Sequence, residues 1–384
     1  LSDGYPWGFW IGMDILAGIA LAAGGFIVAG MVHLFGKAKY HPLSRPAVLT
    51  ALLGYILFII GLAIDLGRPW MIWQVLFHWN HNSPMFEVSW CVTMYTTVLA
   101  LEFLPVVFKR FGWRHLIELW HSLVPWVIVG MVSLFTMAMS GSVAWTAAVL
   151  VVLMSWELAM RAGWMPRDKQ MPILLVMAGV IFSTLHQSSL GSLLLIIPHK
   201  LHPLWFTRAL PILFLLSAVM IGAGMVIFET IVSARIQKRP SEFPLLKGFV
   251  RAMPYLIGLY LILKVGDIFR TGAAEHLFVI TSASVGMWLE LLIGGMLPLT
   301  VFMTREFQES ENWVLWGAIL VVAGGIINRL NTVITAVMVH AWEVYYPSWM
   351  EIAISLGVIS AGILVLDFVT RNFPVYETHH APAH

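Results

Sequence analysis

Apolar residues fill this chain in long runs separated by short stretches of Pro, Gly and charge. The runs lie near Gly8–Phe35, Pro46–Ile64, Pro84–Phe108, Leu116–Met139, Val143–Met160 and Met171–Ile197. They continue near Leu210–Ala234, Phe249–Ile268, Leu277–Met303, Trp313–Val339 and Met350–Phe368. A helix crosses the hydrocarbon core of a bilayer in about 20 residues, and each run is about that long. Only Ser140-Gly141-Ser142 separates the fourth run from the fifth, which predicts a tight turn there. The pattern predicts an all-α polytopic transmembrane helix bundle of about eleven spans, read as a single integral membrane domain over residues 1–384.

Charge in the connections orients the spans, because short cytoplasmic loops are rich in Lys and Arg. With the N-terminus outside, the inner connections hold Lys37, Lys39, Arg45, Lys109, Arg110, Arg114, Arg161, Arg167, Lys169, Arg235, Lys238, Arg239, Lys247, Arg251, Arg305 and Arg371. The outer ones hold Arg68, Lys200, Arg208, Lys264 and Arg270. This asymmetry predicts an N-out, C-in arrangement in a bacterial or archaeal cytoplasmic membrane. Asp65-x-x-Arg68 and Asp267-x-x-Arg270 share a spacing that puts each pair on one helix face, at the ends of spans running the same way. That match admits an internal duplication, two four-helix bundles plus extra helices.

Polar residues inside spans carry the functional signal, since lipid offers them no partners. The sixth run contains Thr184-Leu185-His186-Gln187-Ser188-Ser189-Leu190-Gly191-Ser192, a polar turn with an imidazole well inside an apolar segment. Arg329, flanked by Asn328 and Asn331, lies deep in the tenth run and reads either as ligand-facing or as an ion pair knitting helices together. Asp14, Asp65, Arg68, Glu87, His186 to Ser189, Arg329, Lys264, Asp267 and Arg270 all fall in the outer halves or at the outer ends of their spans. Glu102, Glu157, Glu229, Glu290 and Asp367 form a second, deeper or inner set. Buried carboxylates in series can relay protons; alternatively Glu102, Glu157, Glu229 and Asp367 reach water at helix ends.

The remaining motifs read as structural. Gly4, Gly8 and Gly12, then Gly18, Ala22 and Gly25, suit close helix packing. Trp7, Trp10, Trp70, Trp73, Trp79, Trp342 and Trp349 suit an interfacial belt. His78-Trp79-Asn80-His81-Asn82 lacks a close carboxylate and reads as a docking surface rather than a metal site. Pro125, Pro211 and Pro254 read as lying near helix starts, where proline is tolerated.

Composition agrees with the pattern: 59% of residues are hydrophobic and 11% charged, against about a quarter charged in soluble domains. The net charge of +2 gives no reason to expect nucleic acid as a partner. The single cysteine, Cys91, excludes an internal disulfide and a four-cysteine iron–sulfur site. A b-type haem held by two histidines needs facing imidazoles deep in helices. His33, His121 and His340 lie near span ends, His41, His115, His199 and His202 in connections, and His379, His380 and His384 in the tail. Only His186 is well inside, so no haem, cluster or metal is expected in this chain. Nothing at the N-terminus reads as a cleavable signal peptide.

Several segments, taken in order, resemble those of the NrfD/PsrC family of haem-less quinone-interacting membrane subunits, specifically its HybB-like branch. They are Gly4-Tyr5-Pro6-Trp7-Gly8 with Asp14, His41-Pro42-Leu43 with Arg45-Pro46-Ala47, and Ile64-Asp65-Leu66-Gly67-Arg68. Ala100-Leu101-Glu102-Phe103, Leu185-His186-Gln187-Ser188-Ser189 and Leu201-His202-Pro203-Leu204-Trp205 complete the set. The resemblance implies a quinone, menaquinone in the first place, held near the outer face. It implies a ferredoxin-like partner with several [4Fe–4S] clusters on that face, and multihaem cytochrome c, hydrogenase or molybdoenzyme subunits beyond it. Hydrogenase-type relatives carry a further N-terminal helix and lack the equivalent of Leu119 to Met160. Residues 119–160 therefore read as an inserted helix pair.

The expected function is that of a quinone-reactive subunit of an oxidoreductase complex, not catalytic alone. His186 with Gln187 or Ser189 would hold a quinone carbonyl, with Asp65 or Glu87 as exchangeable acid and Arg68 and Arg329 nearby. Asp14, Asp65, Glu102, Glu229 and Glu290 are the candidate proton carriers. The rival readings are a secondary transporter or proton channel, and a purely structural anchor.

Overall fold

The computed structural model describes residues 7–164, 171–337 and 345–376. Gly4 to Pro6, Arg167, Lys169, His340, Trp342 and the three tail histidines lie outside the described residues. Eleven helices among the described residues are long and apolar enough to cross a membrane. They are α1 (Ile11–Leu34), α2 (Ala38–Asp65), α3 (Pro84–Phe111), α4 (Arg114–Ser140), α5 (Val143–Arg161) and α6 (Ile173–Leu194). Then come α7 (Leu210–Ile236), α8 (Phe243–Arg270), α9 (Ser282–Met303), α10 (Glu311–Thr335) and α11 (Trp349–Asn372). The described residues hold no named strand, only an isolated antiparallel bridge between Leu201 and Val337. The chain is an all-α, multi-pass membrane protein.

Local chemistry explains the boundaries. Between α4 and α5, Gly141 takes a φ of +61°, which glycine adopts without a Cβ clash. Ser142 then caps α5 by accepting from the Trp145 amide at 3.4 Å. The helices overrun the apolar runs where amphipathic residues continue the turn, so α2 takes in His41 and Arg45 and α8 starts at Phe243. Pro125 and Pro254 sit inside α4 and α8 rather than near their starts. Membrane helices tolerate this because neighbouring groups take up the freed carbonyl.

The chain divides into two compact units. One comprises residues 1–24, 53–69 and 187–362, and the other residues 25–52, 70–186 and 363–384. In the first, α9 and α10 approach so closely at Gly294 and Gly324 that a Cβ on Gly324 would collide with the Gly294 backbone. Gly12 lies against Leu330 and Val333, as close packing by small residues requires. In the second, α4 and α5 form a hairpin, and His81 Nδ1 lies 2.6 Å from the Ala138 carbonyl oxygen near its turn. His81 is thus occupied within the chain. Trp145, Val151 and Val152 of α5 are more than half exposed, as lipid-facing residues are. Trp70, Trp73 and Trp349 are also largely exposed, in keeping with an interfacial belt.

Among the described residues, four π-helical turns interrupt the spans, at Ile11–Ala17, Gly30–Leu34, Leu292–Met296 and Asn331–Thr335. The first two contain Asp14 and His33, and the last two begin two residues after Glu290 and Arg329. Such turns often mark functional positions.

Candidate functional site

In the second unit, α3 and α6 run antiparallel with their polar residues in register. Val88, Tyr95 and Glu102 are spaced by seven, two helical turns, and share one face of α3. Gly179, Ser183 and His186 share one face of α6. The His186 imidazole has the Val88 backbone as a polar neighbour, and the Tyr95 hydroxyl faces Ser183. The open face of Gly179 looks onto Val98, Glu102 and Tyr95. His186 and Ser183 are fully buried, and Glu102 is 7% exposed. Glu102 is therefore buried within its helix rather than standing at a helix end. It lines a pocket of about 240 Å³ together with His33, His41, Ser44, Arg45, Lys109 and His121. Glu87 is half-buried near Cys91 on the same helix.

In the first unit the polar turn of α6 continues with Gln187 and Ser189, both buried. Gln187 donates from Nε2 to the Ile19 carbonyl at 3.0 Å. Its Oε1 is buried without a hydrogen-bond partner among the described residues. Buried polar atoms are normally hydrogen-bonded, so an open acceptor at this depth can receive a donor from outside the chain.

The same unit holds a larger buried network around Glu290. Its carboxylate accepts from Trp205 Nε1 at 3.1 Å, Tyr260 Oη at 3.0 Å and Asn328 Nδ2 at 2.8 Å. Lys264 Nζ lies 3.5 Å from it, and both side chains are almost wholly buried. Arg329 donates to Asn328 Oδ1 at 2.7 Å, to Ser217 Oγ at 2.8 Å and to the Phe214 carbonyl at 3.2 Å, and its guanidinium stacks on the Phe214 ring. Glu290 and Arg329 thus belong to one cluster, although the sequence put them in different sets. Of the two readings of Arg329, this geometry favours the one in which it knits helices together. Lys264 is buried in this interior rather than lying in a connection, where the sequence reading placed it.

The cluster reaches the loops through Trp205, whose ring meets His202 at 6.1 Å between centroids. His202 also meets His276 edge-on at 5.1 Å, and its backbone amide donates to the Ala336 carbonyl at 2.7 Å. Burial, and then the neighbouring His276, lower the His202 pKa below its ordinary value.

The other acids find local partners. Ser355 donates to Asp14 Oδ2 at 2.7 Å. Tyr345 donates to Glu351 and accepts from the Phe9 amide; burial and Glu351 push its phenol up to about 12. Asp65 lies in the field of this pair, while Arg68 is exposed. The Asp267–Arg270 pair forms at 2.7 Å. Glu157 is buried rather than water-facing, held by Arg161 at 2.8 Å. Glu229 is buried in α7, and Asp367 pairs with Arg371 at 2.8 Å. No cluster of three or more His, Cys, Asp or Glu suited to a metal ion occurs among the described residues.

Sequence reasoning missed Trp205 and Tyr260 as partners of Glu290. The signal was present in Lys264, a lone cation within Leu261-Ile262-Leu263-Lys264-Val265, which demands a buried counter-charge.

Comparison with known proteins accords with this architecture. A relative from Nitratidesulfovibrio vulgaris is 31% identical, with 99% of this chain aligned to 87% of that protein. The probable Ni/Fe-hydrogenase 2 b-type cytochrome subunit of Escherichia coli is 30% identical over 98% of this chain and 84% of its own length. The menaquinone reductase integral membrane subunit of Nitratidesulfovibrio vulgaris is 25% identical over 98% of this chain and 84% of its own. The family model described as polysulphide reductase, NrfD, matches residues 1–341, and the chain belongs to that family.

Proposed function

We propose that this chain is the membrane subunit of a prokaryotic respiratory oxidoreductase in the cytoplasmic membrane, exchanging electrons and protons with a quinone, menaquinone in the first place. The observation that carries this reading is the polar turn of α6, where a fully buried imidazole is followed in sequence by an amide oxygen with no partner among the described residues. Family membership and the likeness to a menaquinone reductase subunit support it. Electrons are exchanged with a partner, a ferredoxin-like subunit with [4Fe–4S] clusters on the outer face, joined to cytochrome, hydrogenase or molybdoenzyme subunits.

Each group has a chemical task in this reading. A quinone, when bound, supplies the two-electron, two-proton chemistry. His186 donates a hydrogen bond to a carbonyl and exchanges a proton, as imidazole does between its charge states. Gln187 Oε1 and Ser189 receive a hydroxyl hydrogen. Asp65, near Arg68, or Glu87 serves as the exchangeable acid at the outer ends of the spans. Glu102, through Tyr95 and Ser183, connects the pocket floor with His186. Asp14, Glu229 and Glu290 remain proton-carrying candidates, and Arg329 holds the Glu290 cluster in place.

The test is quinone turnover by the intact complex carrying His186→Ala, alongside quenching of a fluorescent hydroxyquinoline N-oxide. Loss of both turnover and saturable quenching is expected. Unchanged turnover in a folded complex overturns the role given to His186.

A further inference from the structure

The pocket floored by Glu102 carries cations on its walls and at its mouth. Glu102, Ser44 and Val106 are buried at its floor, whereas Lys109 is exposed at its mouth. Between them stand three half-buried imidazoles, His33, His41 and His121, and the guanidinium of Arg45. Lys109 also borders a second pocket, formed with Arg110, Arg371 and the Phe373–Pro374 turn, and Arg45 donates to the Pro374 carbonyl at 3.5 Å. Four permanent cations, Arg45, Lys109, Arg110 and Arg371, therefore surround two carboxylates, Glu102 and Asp367. Asp367 is already paired with Arg371.

Position in the spans decides what such a site meets. Arg45 lies eight residues into α2, Lys109 and Arg110 in the last turn of α3, and Arg371 in the last turn of α11. All four stand at span ends, the level at which phospholipid headgroups lie. Pro105, Val106 and Ile117 give the same pocket apolar wall on the membrane side of the cations. At about 30 Å³ per water, its 240 Å³ has room for about eight waters, ample for a phosphodiester. Arg and Lys bind phosphate through charge-assisted hydrogen bonds, and basic pockets between spans on the inner side of a membrane take anionic headgroups.

We propose that this pair of pockets binds the phosphodiester of an anionic phospholipid, with Arg45 and Lys109 as its principal cations and the acyl chains along Pro105, Val106 and Ile117. Sharing of Lys109 by two adjoining pockets suits a lipid with two phosphates, such as cardiolipin, better than one with a single phosphate.

The experiment uses the purified, delipidated complex in detergent. Tetraoleoyl cardiolipin, dioleoyl phosphatidylglycerol and dioleoyl phosphatidylcholine are titrated separately, and retained lipid is counted by native mass spectrometry. Cardiolipin is expected to be retained most tightly and phosphatidylcholine least. Lys109→Gln and Arg45→Gln should each weaken cardiolipin retention about fivefold, the worth of one cation near a headgroup. Lys109→Arg should restore it, and Arg270→Gln, which removes an equal charge elsewhere, should leave it unchanged. Equal retention in wild type and Lys109→Gln overturns the proposal, as does equal retention of phosphatidylcholine. Displacement of cardiolipin by excess inorganic phosphate assigns the cations to a free anion and likewise overturns the lipid assignment. Lys109 is exposed, so its variant keeps the test valid even if Arg45→Gln fails to fold.

Discussion

Replacing Glu290 by Gln should damage the first unit far more than the change of one atom implies. Glu290 is 2% exposed and accepts three hydrogen bonds, from Trp205, Tyr260 and Asn328, while holding Lys264 at 3.5 Å. The amide keeps one acceptor oxygen, but its NH2 faces one of the donors and no longer offsets the ammonium. Leaving one partner of a buried ion pair uncompensated costs about 3–5 kcal/mol, and a stranded donor about 1–3 kcal/mol more. Native stability is only about 5–15 kcal/mol, so most of it is at stake. Lys264→Met alone should cost less, because the carboxylate keeps its three donors. The double variant Glu290→Gln/Lys264→Met should be more stable than Glu290→Gln, with a coupling of about 1–3 kcal/mol. Thermal unfolding followed by fluorescence-detected size exclusion ranks the four proteins. If Glu290→Gln melts with the wild type, or Lys264→Met gives it no rescue, the network does not hold the fold as argued.

Gly324→Val should abolish folded protein on size exclusion, since its side chain meets the Gly294 backbone, whereas Gly258→Ala, with open space at its Cβ, should be neutral. The His202 pKa is lowered in the folded state, so its contacts are fully kept above the ordinary pKa of about 6.5 and weaken as pH falls below it toward the folded value. Fluorescence of the adjoining Trp205 should change in that acid window, and a flat response refutes the assignment. Tyr95→Phe should slow proton-coupled quinone turnover while leaving binding of the N-oxide probe intact; equal loss of both would make Tyr95 a packing residue only.

The spans were legible because twenty apolar residues in lipid have one stable solution, a helix with its backbone bonds internal. The Ser140–Ser142 turn was legible too, through glycine and a capping serine. Pairing between distant helices was not. Nothing in the local pattern joins Trp205 to Glu290 or His121 to His33, because spacing along one helix says which residues share a face and not which helix that face meets. The carboxylates show the same limit: proximity to a helix end placed Glu102 and Glu157 at water, but neighbouring helices bury both. Depth along a span could be counted, whereas lateral position could not.

The α3–α6 register bears on how a proton could travel. Two helical turns separate Glu102 from Tyr95, and two more separate Tyr95 from Val88, the residue beside His186. At 1.5 Å per residue the Cα atoms bounding each interval are about 10 Å apart along the axis, so the path depends on the reach of the side chains between them. In the proposed reading, a proton passing from the pocket floor to the imidazole is handed on by the side chains that line this face. Hydroxyls suit that task because they donate and accept at once, and Tyr95 and Ser183 supply two of them at the middle of the path. Phenylalanine at 95 would keep the packing and remove the relay. Alanine at 186 would keep the relay and remove its end. The two variants therefore separate proton delivery from quinone binding, which loss of the imidazole alone cannot do.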